Sequence, residues 1–473
     1  MSTTVSWLLL ATVCAAPPDI WPGFLGGGCG ADDASTLPLT WSDSHNLAWV
    51  ASVPERGLSS PTIWKDRLFV TSIASEDDLV QGVVTTVRLS DGTTIWRRSA
   101  TLSRKLEIGT DYSNAAPTPV VDARAIYALF ESGDLIAFTH AGEELWRRSL
   151  VRDIDEIAIE SGLASSLAQD EASVFCLVDH ERQSYLAAFD KRTGERRWIA
   201  HRDNESSWSS PICVSIAGVP QVVVSSSGSV DGYDAQEGKR LWTFGGLKGN
   251  SAPTPHFVAP NRLLIGATLE RGAQPVEDVM HSNFAMQIVR GATSWRAELA
   301  WPVDGAISGY ASPVANSSHA YWLDRHGRLT CFSLADGHEC YCERACAAAW
   351  ATPLAVGDRI YIAEKSGTTT VVRAGDRFEI LARNVLNLDD VEQRLATRPA
   401  PTESATQNLK RGADEAPGGR SLSKARDSTP PTERTNVYAV CAVNGSLILR
   451  TNKSLICVRE SRPTISLRPP MAR

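Results

Sequence analysis

Apolar and polar residues alternate in short runs along most of this chain. TIWKDRLFVTS (62–72), TPVVDARAIYALF (118–130), ICVSIAGVPQVVVSS (212–226) and LAVGDRIYIAEK (354–365) each read as strands separated by a turn. A further strand-like run then ends in a glycine turn: VRLSDG, IAFTHAG, AAFDKRTG, DGYDAQEG and CFSLADG. A short strand follows, with an aromatic residue four positions after the glycine. The pairs are Gly92 and Trp96, Gly142 and Trp146, Gly194 and Trp198, Gly238 and Trp242, Gly291 and Trp295, and Gly337 and Tyr341. Asp-Gly and Thr-Gly between alternating runs are hairpin signals, and glycine suits a turn that needs positive φ.

Between these hairpins lies a small residue followed by proline: Ser60-Pro61, Ala116-Pro117, Ser210-Pro211, Ala252-Pro253, Ser312-Pro313 and Thr352-Pro353, with Ala164-Ser165-Ser166 at the corresponding place in the third unit. Each unit therefore predicts a four-stranded antiparallel sheet. One such sheet cannot bury both faces, whereas radial stacking covers them and leaves only short edges. The units fall near 52–99, 110–150, 160–201, 206–245, 249–301, 308–344, 348–384 and 436–460. The expected fold is all-β, an eight-bladed propeller.

Two units break the pattern. The seventh has Glu379 where the tryptophan should stand, and the eighth, NVYAVCAVNGSLILRTNKSLICVRE, lacks the motif. A strand from LTWSDSHNLAWVASV (39–53) would complete the eighth and hide its edge. The predicted organisation is a signal peptide over 1–16, the closing strand and blades one to seven over 17–384, a disordered insertion over 385–435, the last blade over 436–460 and a tail over 461–473. The insertion has no aromatic residue and is rich in Pro, Ser, Thr and mixed charge. Within it, 386–395 reads as a short helix. The leader rests on the apolar run Val5–Val13, small residues at Ala15 and Ala16, and Pro17-Pro18 beyond, although no Lys or Arg precedes the run. No later stretch is long and apolar enough to span a bilayer.

Composition sharpens this reading. Tryptophan (14) outnumbers both Phe (11) and Tyr (9), which points to one packing role used repeatedly. An indole can lie between adjacent sheets and give its N–H to a carbonyl, so core packing is expected in place of a ligand stack. The net charge of −7 offers no basis for nucleic-acid binding.

AAFDKRTGERRW (187–198), with Asp190, Gly194 and Trp198, resembles the tryptophan-docking motif of quinoprotein-type propellers, and YDAQEGKRLW and LSDGTTIW are degraded copies. WPGFLGGGCG (21–30) and the stretch LTWSDSHNLAWVASVPERGLSSPTIWKDRLFVTS (39–72) resemble the start of PQQ-like repeat proteins of planctomycete-type bacteria, with Leu25 where that family usually has Arg. The repeat type is also similar to that of the outer-membrane β-barrel assembly lipoprotein.

The resemblance implies a periplasmic or secreted propeller and leaves two functions open. One is a non-catalytic scaffold for a protein or peptide of the cell envelope. The alternative is a PQQ- and calcium-dependent oxidoreductase of the alcohol or sugar dehydrogenase type. The residues favour the first: no two cysteines are adjacent, and Asp and Asn show no readable calcium pattern. No catalytic residue, cofactor or metal is therefore expected. G-x-S-x-G, phosphate-loop and His-Glu-x-x-His motifs are absent. His180, His256, His281, His319 and His326 are expected in different blades. In HECYCERAC, alternation puts His338, Cys340 and Cys342 on one face and Tyr341 on the other, without the spacing of an established zinc site. Disulfide pairing, Cys340 with Cys346 or Cys331 with a neighbour, is not readable from spacing.

Overall fold

The computed structural model describes residues 19–27, 36–76, 79–104, 115–157, 163–204, 206–269, 276–396 and 435–461. The expected signal peptide, residues 397–434 of the expected insertion and the tail beyond Ser461 lie outside them.

Eight antiparallel sheets form a propeller, each a four-stranded blade, with a fifth short strand added to the first. Blades one to seven run from Thr62–Trp64 to Thr94–Thr101, Val120–Val121 to Glu144–Ser149, Ala168–Gln169 to Arg196–Arg202, Ile212–Ile216 to Arg240–Gly245, His256–Val258 to Trp295–Pro302, Val314–Ala315 to Glu339–Arg344, and Leu354–Val356 to Ile380–Val385. Blade seven thus ends inside the expected insertion, and a helix, Leu388–Ala396, follows it. Blade eight holds Val437–Val443, Ser446–Thr451 and Ser454–Arg459, and takes its fourth strand, Leu47–Ser52, from the other end of the chain.

No blade has a core of its own. The cluster of Tyr127, Leu135, Trp146, Cys176, Tyr185 and Phe189 belongs to blades two and three together, and that of Phe69, Val84, Trp96, Ile126 and Phe138 to blades one and two. Alternate side chains along each strand feed the interfaces on either side.

The inner rim is stitched by a belt of hydroxyls. The backbone N–H of Ser60 donates to Thr118 Oγ1 at 2.9 Å, Thr118 to Ser166 Oγ at 3.0 Å, and Ser166 to Ser210 Oγ at 3.0 Å. Ser210 continues to Thr254 Oγ1 at 2.9 Å, Thr254 to Ser312 Oγ at 3.0 Å, and Ser312 to Thr352 Oγ1 at 3.0 Å. The recurring anchor is therefore a hydroxyl followed by proline. In units two and five this shifts the expected anchor by two residues, from Ala116-Pro117 to Thr118-Pro119 and from Ala252-Pro253 to Thr254-Pro255. Alanine can fill the space but cannot accept the N–H. In unit three Ser166 keeps the hydroxyl without the proline.

The outer joints are built on indoles. Trp96 Nε1 donates to His140 O at 2.9 Å, Trp146 Nε1 to Lys191 O at 3.0 Å and Trp198 Nε1 to Ala235 O at 3.1 Å, each in the next blade. Each ring lies against the glycine turn of that blade. At Gly194 (φ +70°) an added Cβ would sit 2.6 Å from the Trp146 ring, so both the backbone and the indole demand glycine there. Trp49, brought by the closing strand, repeats the contact, donating to Leu89 O at 2.9 Å and covering Gly92. The eighth blade's docking tryptophan thus stands near the N-terminus.

The other joints differ from expectation. Trp242 turns within its own blade, gives its N–H to Gln221 Oε1 at 2.7 Å and lies over Gly232, leaving Gly291 without an indole. The Gly291–Trp295 pair is corrected by the register of blade five. Its last two strands run on past the docking level, so Trp295 sits at the hairpin end beneath Arg290, while Trp301, opposite Ala285 at the β-bulge, lies against Gly337. Tyr341 meets Phe378 edge-on at 5.5 Å. In blade seven Ala382 holds the docking position, opposite Val371 at the bulge. There Trp41 stacks on Tyr361 at 6.4 Å, and its backbone N–H donates to Asn384 Oδ1 at 2.8 Å.

Trp146→Ala is expected to destabilise the protein by about 3–5 kcal/mol, and Trp146→Phe, which keeps a ring but loses the N–H, by about 1–2 kcal/mol. Ser210→Ala leaves the Ser166 N–H buried without an acceptor and is expected to cost about 1–3 kcal/mol. Denaturant unfolding of the three variants checks the order; a neutral Ser210→Ala would show that the belt does not hold the inner rim.

Candidate functional site

The inner strands surround a central channel, and the chain's own N-terminal segment lies in it. Ile20–Trp21 adds a short strand to the inner edge of blade one, Ile20 opposite Trp64. Pro22 O accepts the Val121 N–H at 2.9 Å and the Gln169 Nε2 amide at 3.2 Å, reaching blades two and three. Phe24–Gly27 forms a tight turn with Leu25, Gly26 and Gly27 at positive φ, which lets the segment double back over the Trp21 ring. On the other side Leu25 and Trp21 line a small cavity together with His256 of blade five, Val314 of blade six, Leu354 of blade seven and Val440 of blade eight. The segment is thus bonded to the inner strands of blades one to three and shares a cavity with those of blades five to eight.

His256 is fully buried beside this plug, and desolvation pushes its imidazole down to about 4, so the ring is neutral where it lines the cavity with Trp21 and Leu25. His256 and His281 share blade five, and His319 and His326 share blade six, so the histidines are less dispersed than expected. Of these, His256 alone faces the plug.

On the face carrying the turns between first and second strands, the plug forms the floor of an open funnel of about 790 Å³. Ile20, Pro22 and Phe24 make the base, and Trp64, Val120, Val121, Ala168, Ile212 and Cys213 the apolar wall, from blades one to four. The rim is charged: Asp122, Arg124, Asp170, Glu171, Asp190, Lys191 and Arg192. Lys191 Nζ crosses from blade three to Asp122 of blade two at 2.9 Å and lies 5.5 Å from the centre of the Tyr127 ring. Burial works against the Asp122 charge, but the ammonium and two backbone N–H groups outweigh it and hold the carboxyl below the ordinary range. Asp190 is likewise held low: against desolvation, the N–H groups of Thr193 and Arg192 bond its carboxylate.

The docking motif and the funnel are therefore one construction. The turn that starts at Asp190 and ends at Gly194 receives Trp146 and also sets Lys191 on the wall. Of the residues singled out in the sequence, Asp190 reaches the funnel; Gly92, Trp96, Gly142, Trp146, Gly194, Trp198, Gly238, Trp242, Gly291, Trp295, Gly337 and Tyr341 are not among its lining residues. The lining residues Asp122, Lys191 and Gln169 were not singled out. Their signal was position: each lies in or beside a turn between strands of the regular repeats.

Outside the funnel, Arg202 is buried between blades three and four, paired with Asp179 at 3.0 Å and Asp231 at 3.3 Å and bonded to Tyr233 Oη at 2.6 Å. Glu131 is pushed up to about 8 by burial. Cys331, Cys340 and Cys346 are free thiols, so the expected pairing of Cys340 with Cys346 is not formed.

The His256 environment has a pH consequence. Above about pH 6.5 the ring is neutral folded and unfolded. As the pH falls from there toward about 4, the unfolded chain takes up a proton that the buried ring refuses, so stability is lost over that window, by at most about 1.4 kcal/mol per pH unit. Urea unfolding of the parent and His256→Asn across this range is expected to give a difference that shrinks as the pH falls; a constant difference would rule out burial of a neutral ring.

A family model described as outer membrane protein assembly factor BamB matches residues 39–244, through the fourth blade. Among solved structures, BamB from Moraxella catarrhalis is similar at 12% identity, covering 82% of this chain and 96% of its own, with a TM-score of 0.50. The quinohemoprotein alcohol dehydrogenase from Comamonas testosteroni is similar at 12% identity, covering 95% of this chain and 82% of its own, with a TM-score of 0.52. At this identity the two structures speak for the fold alone. A search of curated protein sequences returns no match. The repeats, the eight blades and the family match over 39–244 thus give this chain the fold of the PQQ-like, quinoprotein-type repeat propellers, to which it is similar.

Proposed function

We propose that this chain is a non-catalytic binding scaffold of the cell envelope, and that the funnel on blades one to four receives a protein or peptide segment. The observation that carries this reading is the plug. Residues 20–27 fill the channel with the chain's own side chains and turn the remaining opening into a broad apolar floor with a charged rim. An extended peptide can lay apolar side chains on Ile20, Phe24 and Trp64 while its polar groups meet Asp122, Arg124 and Asp170. The matched family's description as an assembly factor, and its coverage of the blades that build the funnel, support the same reading. An envelope location rests on the expected leader, and among the described residues no helix is long and apolar enough to cross a membrane.

The residues favour the scaffold over a PQQ and calcium site. Calcium takes six to eight oxygen ligands, and among the described residues no three acidic side chains converge on the funnel or the channel. A planar group in the channel would compete with Trp21 and Leu25.

Two measurements test the proposal. A photo-crosslinking side chain at Phe24 is expected to capture a protein in envelope extract, while one at Leu145, exposed outside the funnel, does not; Arg124→Asp is expected to abolish the capture. Purified protein mixed with PQQ and Ca²⁺ is expected to retain no quinone on gel filtration. Retained chromophore with dye-linked alcohol oxidation would overturn the reading in favour of the oxidoreductase.

A further inference from the structure

Blade six carries a side-chain cluster that the docking architecture does not use. Its second, third and fourth strands, His319–Leu323, Arg328–Ser333 and Glu339–Arg344, are in a register that sets Tyr321, Cys331 and Tyr341 side by side. His319 lies two residues before Tyr321, on the same face, diagonal to Cys331. Strict alternation would turn Cys340 away, with His338 and Cys342. The bulge overrides that expectation: Cys331 pairs with Tyr341 and Phe332 with Glu339, so Cys340 is the extra residue and is re-aimed beside Cys331. Cys342 faces elsewhere, with Thr330 Oγ1 at 3.3 Å from its sulfur. As a result one ring nitrogen of His319 and the sulfurs of Cys331 and Cys340 all lie within 4.8 Å of one another.

We infer that His319, Cys331 and Cys340 form a binding site for a soft divalent metal ion of the zinc class. Two thiols and an imidazole are the donors such an ion prefers, and calcium or magnesium would reject them. In a tetrahedral site with Zn–S near 2.3 Å and Zn–N near 2.0 Å, neighbouring donors stand about 3.5–3.8 Å apart, so the three groups close by about 1 Å. His319 and Cys340 are half-buried and give an ion a way in, while Cys331 is buried and fixes the inner end. Ser318 Oγ, 2.9 Å from His319 Nδ1, steadies the imidazole as an outer hydrogen bond does in known metal sites. Both thiols are held protonated by burial in the metal-free protein, so binding releases one proton from each to solvent and tightens as the pH rises. Three protein ligands leave the fourth position to water or an incoming group. The site stands at the joint where tyrosine replaces the docking tryptophan. An ion holding Cys331 to Cys340 would lock the bulge that presents Tyr341 to Phe378.

The test uses the full chain, reduced with a phosphine and stripped with a chelator. Titration with Co²⁺ is expected to give one ion per chain, a near-ultraviolet sulfur-to-cobalt band and the visible bands of tetrahedral cobalt, all bleached by one equivalent of Zn²⁺. His319→Gln and Cys340→Ser are expected to weaken binding at least about tenfold and to lose the rise in melting temperature that Zn²⁺ gives the parent. Both positions are half-buried, and their melting without metal verifies the fold. Cys342→Ser is expected to bind like the parent. Absence of the thiolate band, unchanged affinity in His319→Gln or Cys340→Ser, or equal weakening in Cys342→Ser would overturn the assignment.

Discussion

From blade two to blade seven, a hydroxyl just before the innermost strand accepts the backbone N–H at the same level of the blade before it, and this bond, repeated from Ser60 to Thr352, sets the spacing into which everything else must fit. A four-stranded sheet with two apolar faces is unstable alone, so each interface must be shared and the sheets must return on themselves. The belt fixes the inner radius. Side chains of Ser and Thr suit the role because they are short enough to leave a channel and polar enough to satisfy an N–H that would otherwise be buried and unbonded.

Outside that belt the two halves of the wheel are built differently. From blade eight through blade four the joints are uniform: Trp49, Trp96, Trp146 and Trp198 each reach a carbonyl in the next blade. This uniformity holds the turns at Asp122, Asp170 and Lys191 at one level, and they form the funnel rim. From blade four onward Trp242, Trp301, Tyr341 and Ala382 each solve the packing differently. The irregular half carries the long hairpin of blade five and the thiol cluster of blade six.

The N-terminal residues compensate where the ring is weakest. Trp21 enters the channel, Trp41 covers the joint where blade seven has alanine, and Trp49 closes blade eight. Three tryptophans within thirty residues thus serve three separate places on the wheel. Arg459 adds to the closure by bonding Leu89 O at 3.0 Å, beside the Trp49 contact.

Strand alternation, glycine turns and evenly recurring tryptophans determine the propeller from the sequence, because each repeat is a local pattern whose burial needs only a similar neighbour. The same logic put Asp190 and Gly194 in a turn and Trp198 on the strand after it, but did not show which indole covers which turn: Trp146 lies on Gly194 and Trp198 on Gly238. It failed at Trp295, where a longer hairpin moved the docking level to Trp301, and at Cys340, where one extra residue reversed the alternation. Register and bulges depend on the partner strand, and a single strand's pattern does not contain them. The funnel, the plug and the thiol cluster were decided by tertiary structure alone. They join residues such as Leu25 with Val440 and His319 with Cys340, whose proximity arises only when the strands pair and the ring closes.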